Sequence, residues 1–246
     1  MMILIQKRTL ILCGCFFFCL SAVLIHTCFS TANPINLPVF SSARVDLVST
    51  VIIDPGHGGE DGGAVSSDGT VCESNLNLSV AQRVNDLLRF FGQPTLMTRT
   101  EDISIHTEGN TIKARKASDI QNRTALVNRT EAAVLLSIHQ NSLPSSPITH
   151  GAQAFWNREN GAENLALQIQ NYLNPVINPD RPKRPRPIPE SIYLMNHVQA
   201  PAVLIECGFL SNREETLQLQ ESSYQTKLAA AITSGYLRCM SGEEVP

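Results

Sequence analysis

The most constraining feature of the sequence is a glycine-rich turn that directly follows an apolar, β-branched run. Residues 47–53 predict a buried strand, and Pro55 and Gly56 then end it. His57 therefore lies at the carboxyl end of a strand, the edge where ligand sites of α/β sheets gather. Taken alone, such a turn favours a structural histidine over a ligand. The residues that follow in the chain change that balance.

Strand-like and helix-like segments alternate along the rest of the chain. Further strands are predicted at 95–98, 131–138, 151–156, 192–195 and 202–207, and helices at 74–91, 119–130, 162–173, 213–220 and 224–237. This alternation predicts a single α/β domain with a mainly parallel, twisted sheet flanked by helices. The proline-rich segment 174–190 carries four basic residues and is predicted to lack regular structure. An exposed loop is favoured there, and a basic flap beside a carboxylate-bearing substrate is the alternative.

The N-terminal segment at 1–32 differs in kind from the remainder. Two basic residues precede an apolar run at 9–25, and residues 30–32 have the small side chains typical of a cleavage site. Two alternatives stay open, a cleaved signal peptide and an uncleaved membrane anchor, since the run is near the lower length limit for a span. Both predict export across the cytoplasmic membrane. A linker is expected at 33–44 and the folded domain at 45–240.

Charge and cysteine content disfavour several classes of function. The formal net charge of −3 gives no support for a nucleic-acid partner or for attraction to an anionic membrane surface. Three cysteines lie beyond the N-terminal segment, without a CxxC pair, so neither a disulfide framework nor a thiolate metal site is indicated. We therefore expect Cys72, Cys207 and Cys239 to be buried free thiols.

Three predicted strands end in side chains that bind metals or transfer protons, namely His57, His139 and Glu206. Glu73 follows the first strand, at the start of a predicted helix whose dipole stabilises a carboxylate. Because parallel strands align their carboxyl ends, these four groups can converge. Two histidines and one carboxylate with an open fourth position are typical of catalytic zinc. A second carboxylate is then needed as a general base that takes a proton from water and later protonates a leaving amine.

Neighbouring polar residues are expected to support the site or to lie on the surface. Asp54 is predicted to hydrogen-bond either the turn backbone or His57, as carboxylates often orient a metal-binding histidine. A solvated position is favoured for His106, His150 and His197, although His197 follows a predicted strand and would be able to line the site.

The residues around these four groups form a set of motifs. They are Asp54-Pro55-Gly56-His57-Gly58-Gly59, Glu73, Ser137-Ile138-His139-Gln140-Asn141 and Ile205-Glu206-Cys207-Gly208-Phe209-Leu210-Ser211-Asn212. In combination they resemble the zinc-dependent N-acetylmuramoyl-L-alanine amidases of the Amidase_3 family, over about residues 51–237. The likeness is strongest to the germination-specific, CwlD-type amidases of spore-forming bacteria.

This resemblance implies a site, a reaction and a location. It places the zinc ligands on His57, Glu73 and His139 and the catalytic glutamate on Glu206, within a catalytic domain at 45–240. The implied reaction is hydrolysis of the amide between N-acetylmuramic acid and L-alanine of peptidoglycan, with the stem peptide and glycan strand as binding partners. In the germination-specific relatives this step precedes muramic-δ-lactam formation in the spore cortex. The implied location is the cell wall or the intermembrane space of the developing spore, secreted or membrane-anchored.

Two other functions remain as alternatives. A catalytically inactive or partner-dependent peptidoglycan-binding regulatory domain is disfavoured because all four key positions are filled. A zinc exopeptidase is disfavoured because such a site needs further ligating carboxylates. The need for a protein activator stays open. Some family members carry an inserted helix that plugs the metal site, but Pro144 and Pro147 predict an open loop over 140–150 instead.

Overall fold

The computed structural model describes residues 49–242. The predicted signal or anchor at 1–32 and the linker at 33–44 lie outside the described residues. Among the helices of residues 49–242, none combines the length and the apolar character that crossing a bilayer requires.

The strands of the described chain form one sheet. They are β1 (Thr50–Pro55), β2 (Thr95–Met97), β3 (Ala133–Asn141), β4 (Gln153–Trp156), β5 (Arg186–Pro187) and β6 (Ala202–Phe209). Their spatial order is β2-β1-β3-β6-β4-β5, and β2, β1, β3 and β6 run parallel. β4 pairs antiparallel with β6, and β5 runs parallel to β4. The predicted mainly parallel sheet is confirmed, with one antiparallel pairing near its edge.

Helices cover both faces of this sheet. They are α1 (Glu73–Phe90), α2 (Ile112–Arg129), α3 (Ala162–Ile177), α4 (Tyr193–His197), α5 (Arg213–Gln220) and α6 (Ser222–Met240). One apolar core joins the sheet to α1, α3 and α6, and a smaller one joins its other face to α2 and α4. The predicted α/β class with helices flanking the sheet is therefore confirmed.

The central strands are apolar on both faces, which explains their continuous hydrophobic runs. In β3, Val134 and Leu136 belong to the larger core, whereas Leu135 between them belongs to the smaller one. Burying one such side chain contributes about 1.5–3 kcal/mol. These runs hold the carboxyl ends of β1, β3 and β6 at one edge of the sheet, which positions the candidate site.

Two predicted elements were wrong in type or extent. Segment 192–195 is not a strand, because Tyr193–His197 form helix α4 with Ile192 at its N-cap. Leu194, Met195 and Val198 are buried with helical rather than alternating spacing. Segment 174–190 is regular at both ends, because α3 continues to Ile177 and residues 186–187 pair with β4 as β5.

Helix α2 begins seven residues earlier than predicted. The Thr111 side chain accepts a hydrogen bond from the Ala114 amide at 3.1 Å and so caps the helix start. The first turn is exposed, so hydrophobic periodicity did not indicate it. Segment 142–150 contains no helix, in line with the open loop predicted there. The three thiols are free as expected, but of these only Cys207 is buried.

Candidate metal centre

Three side chains meet at the carboxyl ends of β1 and β3. His57 follows β1, Glu73 is the first residue of α1, and His139 lies near the end of β3. One ligand atom of each lies within 4.8 Å of the other two. Glu73 Oε1 is 2.9 Å from His139 Nδ1, and Glu73 Oε2 is 3.3 Å from His57 Nε2. The fold thus brings together all three predicted ligands, a donor set typical of catalytic zinc.

Two glycines make room for this cluster. Gly63 has φ of +71°, a conformation that favours glycine, and a Cβ there would lie 2.8 Å from His57 Cδ2 and press on the Glu73 carboxylate. A Cβ on Gly56 would overlap the His139 ring. The backbone is therefore shaped around the three side chains, and a larger residue at either position would displace a ligand.

The Glu73 carboxylate is fixed by hydrogen bonds from several directions. Oε2 accepts from the Ala64 amide at 2.8 Å, and Oε1 accepts from the Gln140 amide and from Asn77 Nδ2, both at 3.1 Å. Burial favours the neutral acid, but the two histidines outweigh it and hold the pKa of Glu73 well below its usual range. Glu73 is thus an ionised and oriented carboxylate.

Asp61 orients the first histidine. Its Oδ2 lies 2.9 Å from His57 Nδ1, and its Oδ1 lies 2.6 Å from Lys116 Nζ, so His57 Nε2 is left to face Glu73. Burial lowers the pKa of His57, but the hydrogen bonds to Asp61 and Glu73 raise it to about 9. The site therefore favours a positive charge. The sequence analysis missed Asp61, although its place four residues after His57 in the same glycine-rich loop was the available signal.

The Asp54 carboxylate hydrogen-bonds neither the turn backbone nor His57, so the prediction of such a bond was wrong. Its Oδ1 accepts from Arg123 Nη1 at 2.6 Å and from Thr98 Oγ1 at 2.7 Å, and its Oδ2 accepts from Ser137 Oγ at 2.8 Å. Burial would raise the pKa of Asp54, yet the Arg123 guanidinium and these hydrogen bonds lower it to about 2. Asp54 is the buried counterion of Arg123.

Two buried arginines hold the backbone of the histidine turn. Arg123 donates to the carbonyls of Pro55 at 2.9 Å and His57 at 2.8 Å. Arg99 donates to the carbonyls of Pro55 at 2.9 Å and Gly56 at 3.0 Å. His57 has φ of +62°, an uncommon conformation for a residue with a Cβ. The arginines, which the sequence analysis missed, stabilise this conformation and so fix the position of His57.

Glu206 stands beside the cluster on β6. Its Cα is the register partner of His139 on β3, so the two side chains share one face of the sheet. Among the described residues, Glu206 Oε2 is buried without a hydrogen-bond partner. Burial raises the pKa of Glu206 to about 7, a value suited to a group that both accepts and returns a proton near neutral pH. The fourth predicted site residue is thus placed to act on a molecule held at the cluster.

A groove of about 220 Å³ opens next to His57 and His139, between α2 and the segment that leads into α4. Its walls include Lys116, Ile192 and Tyr193. The other predicted surface histidines of the described chain lie outside the metal cluster. His197, for example, is exposed and stacks on Tyr193 with ring centroids 3.8 Å apart.

Comparison with known proteins decides the family. The Amidase_3 family model, described as N-acetylmuramoyl-L-alanine amidase, matches residues 51–238. The chain belongs to the Amidase_3 family. The resemblance inferred from the short motifs is therefore confirmed, and the matched region contains all four predicted site residues.

Individual relatives agree with this assignment. The chain is 40% identical over 190 residues to the germination-specific N-acetylmuramoyl-L-alanine amidase of Bacillus subtilis, which covers 76% of this chain and 78% of that protein. The CwlD amidase from Clostridioides difficile, solved in complex with the GerS lipoprotein, superposes with a TM-score of 0.75 at 32% identity, covering 79% of this chain and all of that one. The amidase AmiC2 of Nostoc punctiforme gives a TM-score of 0.67 at 27% identity, covering 78% and 97%.

Proposed function

We propose that this protein is a zinc-dependent N-acetylmuramoyl-L-alanine amidase that hydrolyses the amide bond between N-acetylmuramic acid and the L-alanine of the stem peptide. One observation carries this function: the His57–Glu73–His139 cluster lies beside Glu206, whose Oε2 is buried without a hydrogen-bond partner in the described chain. His139 and Glu206 are register partners on the adjacent strands β3 and β6. Membership of the Amidase_3 family supports the same reaction.

The residues present fit a zinc ion, which His57, Glu73 and His139 would hold. Bound zinc polarises a carbonyl group and lowers the pKa of water. Glu206 takes the proton of the attacking water on its free Oε2 and delivers it to the amide nitrogen as the carbon–nitrogen bond breaks. The lactyl group of muramic acid becomes a carboxylate, and the stem peptide leaves with a free amine.

Loss of one ligand should abolish stable metal binding. We expect about one zinc per molecule in the wild type and little in His139→Ala, because two remaining ligands make a much weaker site. Elemental analysis by mass spectrometry after dialysis measures this. His197→Ala, which removes an exposed histidine outside the cluster, is the matched control and should keep its zinc. Full zinc content in His139→Ala would contradict the ligand assignment.

The germination-specific relative and the CwlD structure support spore cortex as the substrate, in a step that precedes muramic-δ-lactam formation. Export to the cell wall or to the intermembrane space of the developing spore follows from that role. The lipoprotein in the CwlD complex supports a protein partner as a further element of the proposal.

Digestion of purified cortex and vegetative peptidoglycan, followed by mass spectrometry, tests the reaction. We expect intact stem peptides with free L-alanine amines and glycan strands with peptide-free muramic acid, in larger amount from cortex. Release of single amino acids would instead support an exopeptidase. Tight binding of peptidoglycan without any cleavage, in the presence of zinc, would support a regulatory domain.

A further inference from the structure

A basic segment lies at the same edge of the sheet as the candidate catalytic glutamate. Gln153 on β4 is the register partner of Glu206 on β6, and β5 runs parallel to β4. Residues 181–186, which lead into β5, therefore emerge at the edge where Glu206 lies. We call residues 181–186 the basic ledge, because it carries Arg181, Lys183, Arg184 and Arg186.

The basic ledge is fixed to the sheet and to α3. Gln153 Nε2 donates to the Arg184 carbonyl at 2.8 Å. Asn174 near the end of α3 donates to the Lys183 carbonyl at 2.9 Å and accepts from the Lys183 amide at 3.0 Å. Pro182 and Pro185 restrict the remaining backbone freedom. The backbone of the basic ledge is therefore held beside the site.

Within the described chain no ion pair involves a cation of the basic ledge, although the carboxylates of Glu215 and Glu206 lie near Lys183. All ion pairs of the described chain involve basic residues outside this segment. None of them places a carboxylate oxygen within 4.0 Å of a basic group of residues 181–186. The protein as a whole carries a formal charge of −3, so four cations within six residues are a local reversal of sign. Such a concentration of unpaired positive charge attracts an anionic ligand.

Lys183 is the cation of the basic ledge that lies near Glu206. Its ammonium donates to the Gly151 carbonyl and lies 4.7 Å from the centre of the Phe209 ring, which ends the strand that carries Glu206. Burial lowers the pKa of Lys183 to about 8, although the nearby carboxylates of Glu215 and Glu206 act in the opposite direction. An ammonium has three donors, and Gly151 takes one of them in the described structure.

Resting on the proposed amidase function, we propose that the basic ledge is a subsite for the carboxylates of the stem peptide. The leaving nitrogen must face Glu206, because that carboxylate protonates it. The peptide attached to this nitrogen therefore extends past Glu206 towards β4 and the basic ledge. A stem peptide carries at least its terminal carboxylate, which Lys183 and Arg184 bind. The groove between α2 and α4, on the side of the two histidines, is left for the glycan.

This subsite is tested by measuring KM for substrates with and without carboxylate charges, in the wild type and in variants that lack a cation of the basic ledge. Two soluble muropeptides are compared, one with free carboxylates and one with the same carboxylates converted to amides. Lys183→Met and Arg184→Gln should each raise KM about tenfold for the free-carboxylate substrate, because a charge-assisted hydrogen bond is lost, and kcat should change little in Arg184→Gln. KM for the amidated substrate should be the same in both variants as in the wild type.

Arg158→Gln is the matched control, since Arg158 is an exposed arginine that follows β4 at the opposite edge of the sheet. It should leave both KM values unchanged. If the wild type and the variants all cleave the two substrates with the same KM, that result would overturn the proposed subsite and leave the amidase function intact. A purely structural role of Lys183 would raise KM for both substrates alike, which would also overturn it.

Binding of the released stem peptide gives a readout that does not depend on turnover. The wild type should bind the free-carboxylate peptide about tenfold more tightly than the amidated one, and Arg184→Gln should reduce this ratio. Equal affinity for the two peptides would refute the subsite even if the protein hydrolyses no peptidoglycan, so failure of the function and failure of the subsite are distinguishable.

Discussion

Glu206→Gln is expected to lower kcat by about 10²–10⁴-fold, with the fold and the zinc content unchanged. Glutamine has nearly the same shape as glutamate but cannot take a proton from water or return one to the leaving amine. The Oε2 of Glu206 makes no hydrogen bond within the described chain that the change would break. Initial rates on a soluble muropeptide, together with zinc content and melting temperature, measure the effect.

A stability measurement separates a catalytic role from a structural one. Burial raises the pKa of Glu206 to about 7, so the ionised carboxylate destabilises the metal-free fold above that pH. The metal-free Glu206→Gln variant should therefore be at least as stable as the wild type at pH 8. Glu214→Gln, which changes an exposed glutamate on α5, is the control for the substitution itself. Activity of Glu206→Gln within a few-fold of the wild type would mean that another group is the base.

Arg123→Met is expected to lower the free energy of unfolding by about 3–5 kcal/mol, the effect of breaking a buried ion pair on one side. The change leaves the buried Asp54 carboxylate without its guanidinium, and it also removes donors from Asp119 and from the His57 carbonyl. Arg129→Met on the same helix removes an exposed arginine and should change stability by less than about 0.5 kcal/mol. Urea unfolding of the metal-free proteins measures both.

The decrease of the free energy of unfolding at acid pH provides a second measurement of the ion pair between Asp54 and Arg123. The pKa of Asp54 is lowered from 3.8 to about 2 in the folded state, so its contribution is present above pH 3.8 and is lost as pH falls towards 2. In Arg123→Met this loss should move to higher pH, because the carboxylate has lost the charge that lowers its pKa. If Arg123→Met lowers the free energy of unfolding by less than about 1 kcal/mol and stability falls at the same acid pH as in the wild type, the ion pair contributes little.

Local patterns in the sequence were sufficient for the fold class, and they also indicated the four candidate site residues, whose roles stay a prediction. Hydrophobic runs of six to eight residues predict buried strands, and the residue that ends a parallel strand lies at the sheet edge where ligands bind. His57, His139 and Glu206 were found in this way, and Glu73 was found from its place at a helix start. The signal or anchor at 1–32 rests on equally local features and stays a prediction, as does the domain boundary near 45.

The tertiary structure decided what surrounds those residues, because the contacts join positions far apart in the chain. Arg99 donates a hydrogen bond to the Gly56 carbonyl 43 positions away, and Arg123 donates one to the His57 carbonyl 66 positions away. No short sequence motif indicates a buried arginine. The antiparallel pairing of β4 with β6 also joins distant segments, and together with the parallel pairing of β5 with β4 it places the basic ledge beside Glu206. A four-residue apolar run such as 192–195 fits strand or helix equally well until packing selects the spacing that buries its side chains.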